Sequence, residues 1–599
     1  MKLFRYVALS LMALTMFSPL KAVQAYSTWK TFRQSDSTTI RVRLCGDEFF
    51  QYYLTEDNVP LLRAANGDFC YLQAAGFKAR SSGVVAHEAA MRTPQEKKYI
   101  TSLETLAQVN RRNPQRLRTA SLQRQIRTAR SRQRVAGAVE EKRALVLMIE
   151  FSDQSFRKNA VKYCEAMLNE EGYTGGTLSP EPIPGSVKDY FRQQSDGQFN
   201  VTFDVVGPVR ASGSCYYYGI DSEDVSEMYV GRLLSEVLKK VDADVDFSRY
   251  DWYGNGEVDL VFFVYAGYGA HVVGNDPNLI WPHAGALSLF DGYESGITLD
   301  GVLINQYACS SEMLYNNLRS GIGVFCHEFS HCLGLYDFYT NTDAPDPRGY
   351  DLMANGSHNL QTWAPCNYTA LEKYMLGWKD FTPIEQSVKQ LTLTPVSQGG
   401  EGYLLCNAVD KDGDLEEFYV LENRQQEGWD AHIPGHGLTV SHYDYDRDLW
   451  FYSKANDDPE HPRAYIIPAG NNYGSPASYP FPYEGNDSLT NSSIPAARVF
   501  RESSLGNFFM NKPITNIRET DGIITLDVTI PVTGVKNAVT DGSGQRGEEQ
   551  LRGKAVSVYN AQGQLVDRIA QFSSSEHLPV GIYLLMDEKT RETIKIIRR

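Results

Sequence analysis

The sequence predicts a multidomain protein of the α+β class. Its 599 residues are too many for one hydrophobic core, so several domains are expected. Apolar runs of strand length alternate with helix signals up to about residue 380, whereas the later signals are nearly all strand-like. We therefore expect a mixed domain at 139–380, a β-sandwich at 381–532 and a small β-domain at 533–599.

Residues 1–25 have the three parts of a signal peptide. Lys2 and Arg5 supply the charged start, Tyr6 to Phe17 the apolar stretch, and Val23-Gln24-Ala25 the small-residue cleavage site. The alternative is a membrane anchor, but the apolar run is shorter than the ~20 residues that a spanning helix needs. We expect an exported protein whose mature chain has no transmembrane helix.

Residues 26–138 are predicted to be a pro-region. Two apolar and aromatic runs of strand type, at 39–44 and 49–54, flank the turn-prone Cys45-Gly46-Asp47. Between 111 and 134 the chain has nine arginines and no acidic residue, and such dense like charge favours an extended linker. This linker is either a segment that is cleaved on activation or a plain solvated tether.

The motif that carries chemistry is His327-Glu328-x-x-His331. Histidines four residues apart lie one above the other on a helix, which is the spacing that two imidazoles need to bind one Zn²⁺. Glu328 lies about 100° around the helix, where its carboxylate can take a proton from water at the open position of the metal. Gly334 can end the helix in a left-handed conformation and turn the chain back, so that Asp337 becomes the third ligand.

The segment after the motif distinguishes between kinds of zinc peptidase. A thermolysin-like site needs a glutamate ligand on a second helix, and residues 349–356 offer none. They offer Met353 in a tight turn. An extended histidine motif followed by such a methionine is the metzincin pattern, with Asp337 in place of the usual third histidine.

These residues resemble the immune inhibitor A peptidase family of secreted bacterial metalloproteases. The resemblance covers roughly residues 40 to 530. It rests on the zinc motif up to Asp337 and on further matching stretches: Tyr350-Asp351-Leu352-Met353, Leu376-Gly377-Trp378, Ser186 to Gly197, Tyr265-Ala266-Gly267, Trp281-Pro282-His283 and Pro434 to Leu438.

The resemblance implies roles for five residues. His327, His331 and Asp337 bind zinc, Glu328 is the catalytic base, and Met353 lies beneath the zinc as an apolar floor. The expected function is a secreted zinc endopeptidase that hydrolyses extracellular proteins and peptides. Two alternatives stay open: a surface binding protein or adhesin with little catalysis, and a zinc amidase for a non-protein substrate.

A weaker metal signal lies at 251–259. Asp251, Asn255, Glu257 and Asp259 resemble the start of a calcium loop, in which oxygens at alternate positions surround the ion and a glycine makes the turn. Tyr253 stands where an acidic residue is expected, and the distant glutamate of a full EF-hand is missing. The loop is therefore a possible calcium site or a tight polar turn.

Composition excludes some classes of protein. The formal net charge of −15 argues against nucleic acid as a partner, because phosphate binding needs a surplus of Lys and Arg. Nine cysteines without a Cys-x-x-Cys pair do not indicate a dense disulfide framework, although one or two disulfides are possible. Cys326 and Cys332 are interpreted as core thiols. His283 and His358 either contact substrate or are packed.

The last residues have a signature of their own. The strand-like runs 556–560, 578–585 and 595–599 are similar to the C-terminal sorting domain of the type IX secretion system of Gram-negative bacteria. The alternative is a generic terminal β-module. The resemblance implies the outer-membrane secretion machinery as a partner, export through the outer membrane, and a secreted or surface-attached product.

Overall fold

The computed structural model describes residues 29–47, 50–57, 59–64, 66–75, 78–102, 140–219, 228–272, 279–289, 293, 296–340, 344–410, 413–451, 453–531, 551–560, 565–575, 577–579, 581–589 and 593–598. The predicted signal peptide and the arginine-rich segment 111–134 lie outside these residues. Within the described ranges, no helix is both long and apolar enough to cross a membrane.

The first described region is an antiparallel sheet of six strands in sequence order, followed by a helix. The elements are β1 (Lys30–Arg33), β2 (Thr39–Asp47), β3 (Phe50–Thr55), β4 (Pro60–Arg63), β5 (Phe69–Ala75), β6 (Lys78–Val85) and α1 (Pro94–Ser102). Both predicted strands are confirmed, but the turn predicted at Cys45-Gly46-Asp47 is wrong, because β2 pairs with β3 as far as Asp47. Ladder pairing of the backbone outweighs the local turn preference here.

The central region contains a five-stranded sheet with the order β11-β14-β10-β7-β8. Its neighbouring strands run parallel except for the edge strand β11, which is antiparallel to β14. A second, three-stranded sheet joins β12, β13 and β9. The elements are β7 (Glu140–Glu150), α2 (Ala160–Asn169), α3 (Val187–Gln194), β8 (Phe199–Arg210), α4 (Cys215–Gly219), α5 (Met228–Val241), β9 (Glu257–Val258), β10 (Val261–Tyr268), β11 (His283–Ala286), β12 (Ile297–Leu299), β13 (Val302–Ile304), β14 (Gln306–Met313), α6 (Ile322–Leu333) and α7 (Ala370–Met375).

Strand β7 is buried on both faces, and its alternate residues point into two different cores. Ala144 and Val146 pack in the cluster that contains Phe325 of α6. Leu145 and Leu147 pack in the cluster that contains the apolar face of α5. Helix α6, which carries the zinc motif, is therefore fixed against one face of the central sheet.

Residues 382–528 form two sheets around one apolar core. A five-stranded sheet has the order β15-β17-β18-β19-β20 and a three-stranded sheet the order β16-β22-β21. Leu405 and Tyr419 of the first sheet share a cluster with Leu393 and Leu526 of the second, as the predicted β-sandwich requires. The elements are β15 (Thr382–Pro383), β16 (Val388–Leu393), β17 (Tyr403–Val409), β18 (Leu415–Arg424), β19 (Gly437–Asp444), α8 (Arg447–Phe451), β20 (Ala464–Ile466), β21 (Ile514–Thr520) and β22 (Ile523–Val528).

The C-terminal region forms a four-stranded antiparallel sheet with its own apolar cluster around Val558 and Leu585. Its strands are β23 (Val556–Asn560), β24 (Leu565–Ile569), β25 (Gly581–Asp587) and β26 (Thr593–Arg598). Helices and several sheets agree with the predicted multidomain α+β class. The metzincin assignment, the domain boundaries and the sorting role of the last sheet stay predictions.

Candidate metal centre

Helix α6 is buried along all twelve of its residues. A serine just before a helix is a common N-cap, but Ser320 does not cap α6, because the helix begins one residue later with Gly321 as its N-cap. The Gly321 N–H donates to Thr362 Oγ1 (2.8 Å), and the Gly323 N–H donates to the Thr362 carbonyl (2.7 Å). Thr362 thus accepts hydrogen bonds from backbone N–H groups at the start of the helix. A capping side chain would otherwise accept them.

The helix ends at Gly334, as predicted. Gly334 has a left-handed φ of 114°, and the N–H groups of Gly334 and Leu335 both donate to the Ser330 carbonyl at 3.0 Å. A residue with a Cβ would be strained in this conformation. The turn directs the chain back, so that Asp337 reaches the face of α6 that carries the two histidines.

Three buried side-chain atoms form a nearly regular triangle. Nε2 of His327, Nε2 of His331 and Oδ1 of Asp337 lie 3.2 Å from one another on all three sides. Ligand atoms of a tetrahedral zinc ion, with bonds of about 2.0 Å, lie about 3.3 Å apart. The triangle therefore has the dimensions of one face of a zinc coordination tetrahedron.

Backbone carbonyls orient both imidazoles. His327 Nδ1 lies 2.9 Å from the Leu352 carbonyl oxygen, and His331 Nδ1 lies 3.1 Å from that of Leu335. A carbonyl oxygen only accepts, so each Nδ1 carries a proton, and each Nε2 has a lone pair when its ring is neutral. This is the tautomer in which a histidine binds a metal through Nε2.

The carboxylate of Asp337 fits a cation at the centre of the triangle. Apart from these two imidazoles, neither of its oxygens has a donor among the residues that the structure describes. Burial alone raises the pKa of Asp337, but the positive charge and hydrogen bonds of His331 and His327 hold it well below its usual range. A positive charge is thus required here, and a donor set of two imidazoles and one carboxylate suits zinc.

Glu328 lies beside the triangle. One ligand atom each of His327, Glu328 and His331 lie within 4.8 Å of one another. Burial raises the pKa of Glu328 to about 7, although the charges of the two histidines oppose this shift. A carboxyl group with a pKa near neutrality next to a metal position is suited to accept and release a proton.

The turn that contains Met353 is hydrogen-bonded to segments that carry the site. Met353 is fully buried, its N–H donates to Asp351 Oδ1 (2.7 Å), and its carbonyl accepts from the Phe338 N–H (2.8 Å). The preceding residue, Leu352, orients His327 through its carbonyl. The turn is thus bonded to His327 and to the segment next to Asp337, whereas the floor role of the Met353 side chain stays a prediction.

The structure does not bring the predicted calcium ligands around one point. Asp251, Glu257 and Asp259 do not form a cluster with metal-ligand spacing, and the group that does so in the described ranges is the one around His327. The Asp259 carboxylate accepts from the Trp252 N–H (2.6 Å), and Asn255 Oδ1 accepts from the Glu257 N–H (3.1 Å). Calcium stays a prediction.

Three further histidines, His271, His283 and His358, lie in the central region. His283 is packed, with Nδ1 2.7 Å from the Trp281 carbonyl and Nε2 2.6 Å from the Tyr307 hydroxyl. His358 is buried, and its pKa lies well below the usual value because of burial and the charges of His271 and His327. Sequence reasoning missed His271, because no motif marks it.

Cys326 and Cys332 are buried free thiols, as predicted.

Comparison with known proteins agrees with this geometry. Residues 130–381 match the catalytic domain of immune inhibitor A peptidase M6. The chain is similar to the pre-pro-metalloprotease PrtV of Vibrio cholerae, with 25% identity over 254 residues that cover 36% of this chain and 27% of that protein. It is also similar to immune inhibitor A of Bacillus thuringiensis subsp. alesti, with 25% identity over 268 residues that cover 38% of this chain and 37% of that protein. The chain thus spans well under half the length of these relatives.

The matched region has the site and the similarities of one class of domain, a metalloprotease catalytic domain. Within that class, residues 130–381 match the catalytic domain of the immune inhibitor A peptidase M6 family.

Proposed function

We propose that this protein is a secreted zinc endopeptidase that hydrolyses peptide bonds of extracellular proteins. The observation that carries the proposal is the 3.2 Å triangle of ligand atoms with Glu328 beside it. His327, His331 and Asp337 would hold the zinc, and Glu328 would lie beside it.

The residues around the metal perform the proton transfers. Bound zinc supplies Lewis acidity toward the peptide carbonyl and toward the attacking water. Glu328 takes a proton from that water on its carboxylate and then gives it to the nitrogen of the leaving amine. Burial raises the pKa of this carboxyl group to about 7 in the metal-free site, and the same group both takes up and releases the proton.

The sheet β1–β6 keeps the enzyme latent in this proposal. Ile40 and Phe69 of the sheet share one apolar cluster with Ala270 and with Val324 of α6. Val324 lies three residues before His327 and therefore on the same helix face. The sheet thus packs beside the helical turn that precedes the metal ligands, and we expect a peptide to reach the centre only after the sheet has moved away. Cleavage in the arginine-rich segment at 111–134 would release it.

Export through the outer membrane is part of the same proposal, with the sheet β23–β26 as the type IX sorting signal. The separate apolar cluster of this sheet supports a unit that folds by itself. A chain that ends at residue 532 should stay inside the outer membrane, whereas the full chain reaches the medium or the cell surface. Equal export of both chains would rule out the sorting role.

The test of the activity is Glu328→Gln, with Glu460→Gln in an exposed loop as the matched control. The full chain is expressed, processed by limited proteolysis and assayed for zinc content and casein cleavage. Both variants should hold about one zinc per chain, and only Glu328→Gln should lose cleavage, by about 10²–10⁴-fold or more. Retained cleavage without zinc would refute the proposal. A parent chain that holds zinc but cuts no protein would favour the adhesin or the amidase.

A further inference from the structure

His271 is a buried imidazole that the mechanism above does not use. It lies in the turn after β10 and is 3% exposed. Neither ring nitrogen has a hydrogen-bond partner among the residues that the structure describes. Buried polar groups are nearly always paired, so an imidazole with two unpaired nitrogens can bind a further partner.

The ring is held in a defined place. The Ala270 N–H donates to the Ile280 carbonyl (3.0 Å), which joins the turn to the segment before β11. A Cβ on Gly269 would lie 2.7 Å from Nδ1 of His271, so the ring folds back over residue 269 and needs the glycine there. The centre of the ring is 6.1 Å from that of the Trp281 indole.

The turn of His271 packs beside the helix that carries the metal ligands. Its neighbour Ala270 and the facing Trp281 share one apolar cluster with Val324 of α6. Val324 precedes His327 by three residues and therefore lies on the same helix face. His271 is thus held next to the turn of α6 that leads into the metal centre.

The sheet β1–β6 covers this corner of the molecule. Ala270, Trp281 and Val324 belong to the same apolar cluster as the side chains that the sheet contributes, which are Ile40, Val42, Tyr53, Val59, Leu61, Phe69, Tyr71 and Ala86. We name Ala270, His271, Trp281 and Val324 the covered patch. Its present occupant is an extended β-structure of the chain itself with large apolar and aromatic side chains.

We propose that the covered patch is a substrate subsite for a large apolar side chain, in which the His271 imidazole donates a hydrogen bond to a carbonyl oxygen of the bound peptide. Trp281 and Val324 supply the apolar walls, and His271 supplies the polar group that fixes the peptide backbone. The inference rests on the proposed peptidase function and adds a substrate class to it. Peptides with a large apolar residue close to the scissile bond should be preferred.

The first experiment measures cleavage by the processed full chain on a peptide library in which one position at a time is varied. His271→Ala should keep its zinc and lose about 10- to 100-fold in kcat/KM, the loss expected for one hydrogen bond to substrate. His271→Asn, which still has a donor, should recover part of the rate. Trp281→Ala should weaken the preference for apolar residues. His436→Ala, at an exposed histidine beside Glu519, is the control and should match the parent.

The second experiment does not need turnover. Carbethoxylation of His271 by diethylpyrocarbonate is mapped by mass spectrometry in the Glu328→Gln chain. His271 should react slowly before proteolytic processing and rapidly after it. In the processed chain, an apolar peptide should protect His271 from the reagent, and a lysine-rich peptide should not. A parental rate in His271→Ala, or no shielding by any peptide, overturns the subsite while the peptidase function stands. A parent that cuts no peptide overturns the peptidase function itself, whatever the reactivity of His271.

Discussion

Two regions of the central domain carry the residues of a metal site, and they differ in what their oxygens already bind. At the triangle of His327, His331 and Asp337, the carboxylate is buried and no donor of the described residues serves it in the metal-binding tautomer. In the loop at 251–259, both oxygens of Asp251 accept backbone N–H groups, from Asn255 at 3.1 Å and from Gly256 at 2.8 Å.

The two regions differ in whether the carboxylate needs a positive charge beside it. A buried carboxylate facing two imidazole lone pairs is unfavourable without a positive charge between them. A partly exposed carboxylate that already accepts two amides is stable without an ion, because water and the loop backbone solvate it. Acidic residues at ligand spacing are therefore weak evidence of a metal site. Buried oxygen and nitrogen lone pairs that no hydrogen bond satisfies are strong evidence.

The largest expected effect comes from removing one carboxylate in each region. Asp337→Asn should lower the zinc content of the full chain from about one ion to nearly none after dialysis, because the third ligand and its charge are lost. Asp251→Asn, the matched change in the loop, should leave zinc content and casein cleavage as in the parent. Metal analysis and a cleavage assay measure both. Zinc loss in Asp251→Asn would show that the two regions are coupled.

Removal of the metal should change thermal stability in one region only. At a thousandfold excess over its Kd, a ligand contributes about 4 kcal/mol to folding. Chelation should therefore lower the Tm of the catalytic domain by about 8–16 °C. Calorimetry of the full chain with and without a zinc chelator measures the shift. In Asp337→Asn the chelator should have no effect, and an equal shift in both proteins would place the stabilising ion elsewhere.

Much of the site could be predicted from the sequence because it depends on local periodicity. The spacing of His327 and His331 fixes their common helix face, and Gly334 adopts the left-handed conformation that its lack of a Cβ permits. Helix α3 begins directly after Ser186, where Ser186 and Asp189 form a capping box that the local sequence already shows. In each case the residues that decide the structure are neighbours in the chain.

The parts that could not be predicted depend on contacts between distant segments. The start of α6 is set by Thr362, and no local signal at Ser320 reveals that partner. His271 is held beside Trp281 by the hydrogen bond from the Ala270 N–H to the Ile280 carbonyl, so its position in the sequence gives no sign of its place in the fold. Likewise, pairing with β3 overrides the turn preference of Gly46.

Proton release should accompany zinc binding at the triangle. Burial alone lowers the pKa of His331, but the Asp337 carboxylate at 3.2 Å reverses this and raises it to about 9 in the metal-free site. Because the folded-state pKa is raised, the ion pair stabilises the metal-free fold fully below pH 6.5, and this stabilisation is lost as pH rises through about 9.

Zinc must therefore displace about one proton at pH 7, and its affinity should fall about tenfold for each pH unit below that pKa. Calorimetric titration of zinc in two buffers of different ionisation enthalpy measures the number of protons. The Asp337→Asn chain lacks the carboxylate that holds the proton, so its residual binding should release fewer. Zinc binding without proton release in the parent would mean that His331 is already neutral.

The smallest effect is expected in the loop at 251–259. Asp251→Ala removes two acceptor bonds to backbone amides, a change similar to the loss of a helix cap, and should cost about 1 kcal/mol of unfolding free energy. This loss should be the same in calcium and in a calcium chelator, because the loop is satisfied by its own backbone. Urea unfolding of the parent and of Asp251→Ala in both buffers measures it.

The opposite outcome is that millimolar calcium raises the stability of the parent by several kcal/mol and leaves Asp251→Ala unchanged. The loop would then be a metal site, because carboxylate oxygens that accept backbone N–H groups still have lone pairs free for an ion.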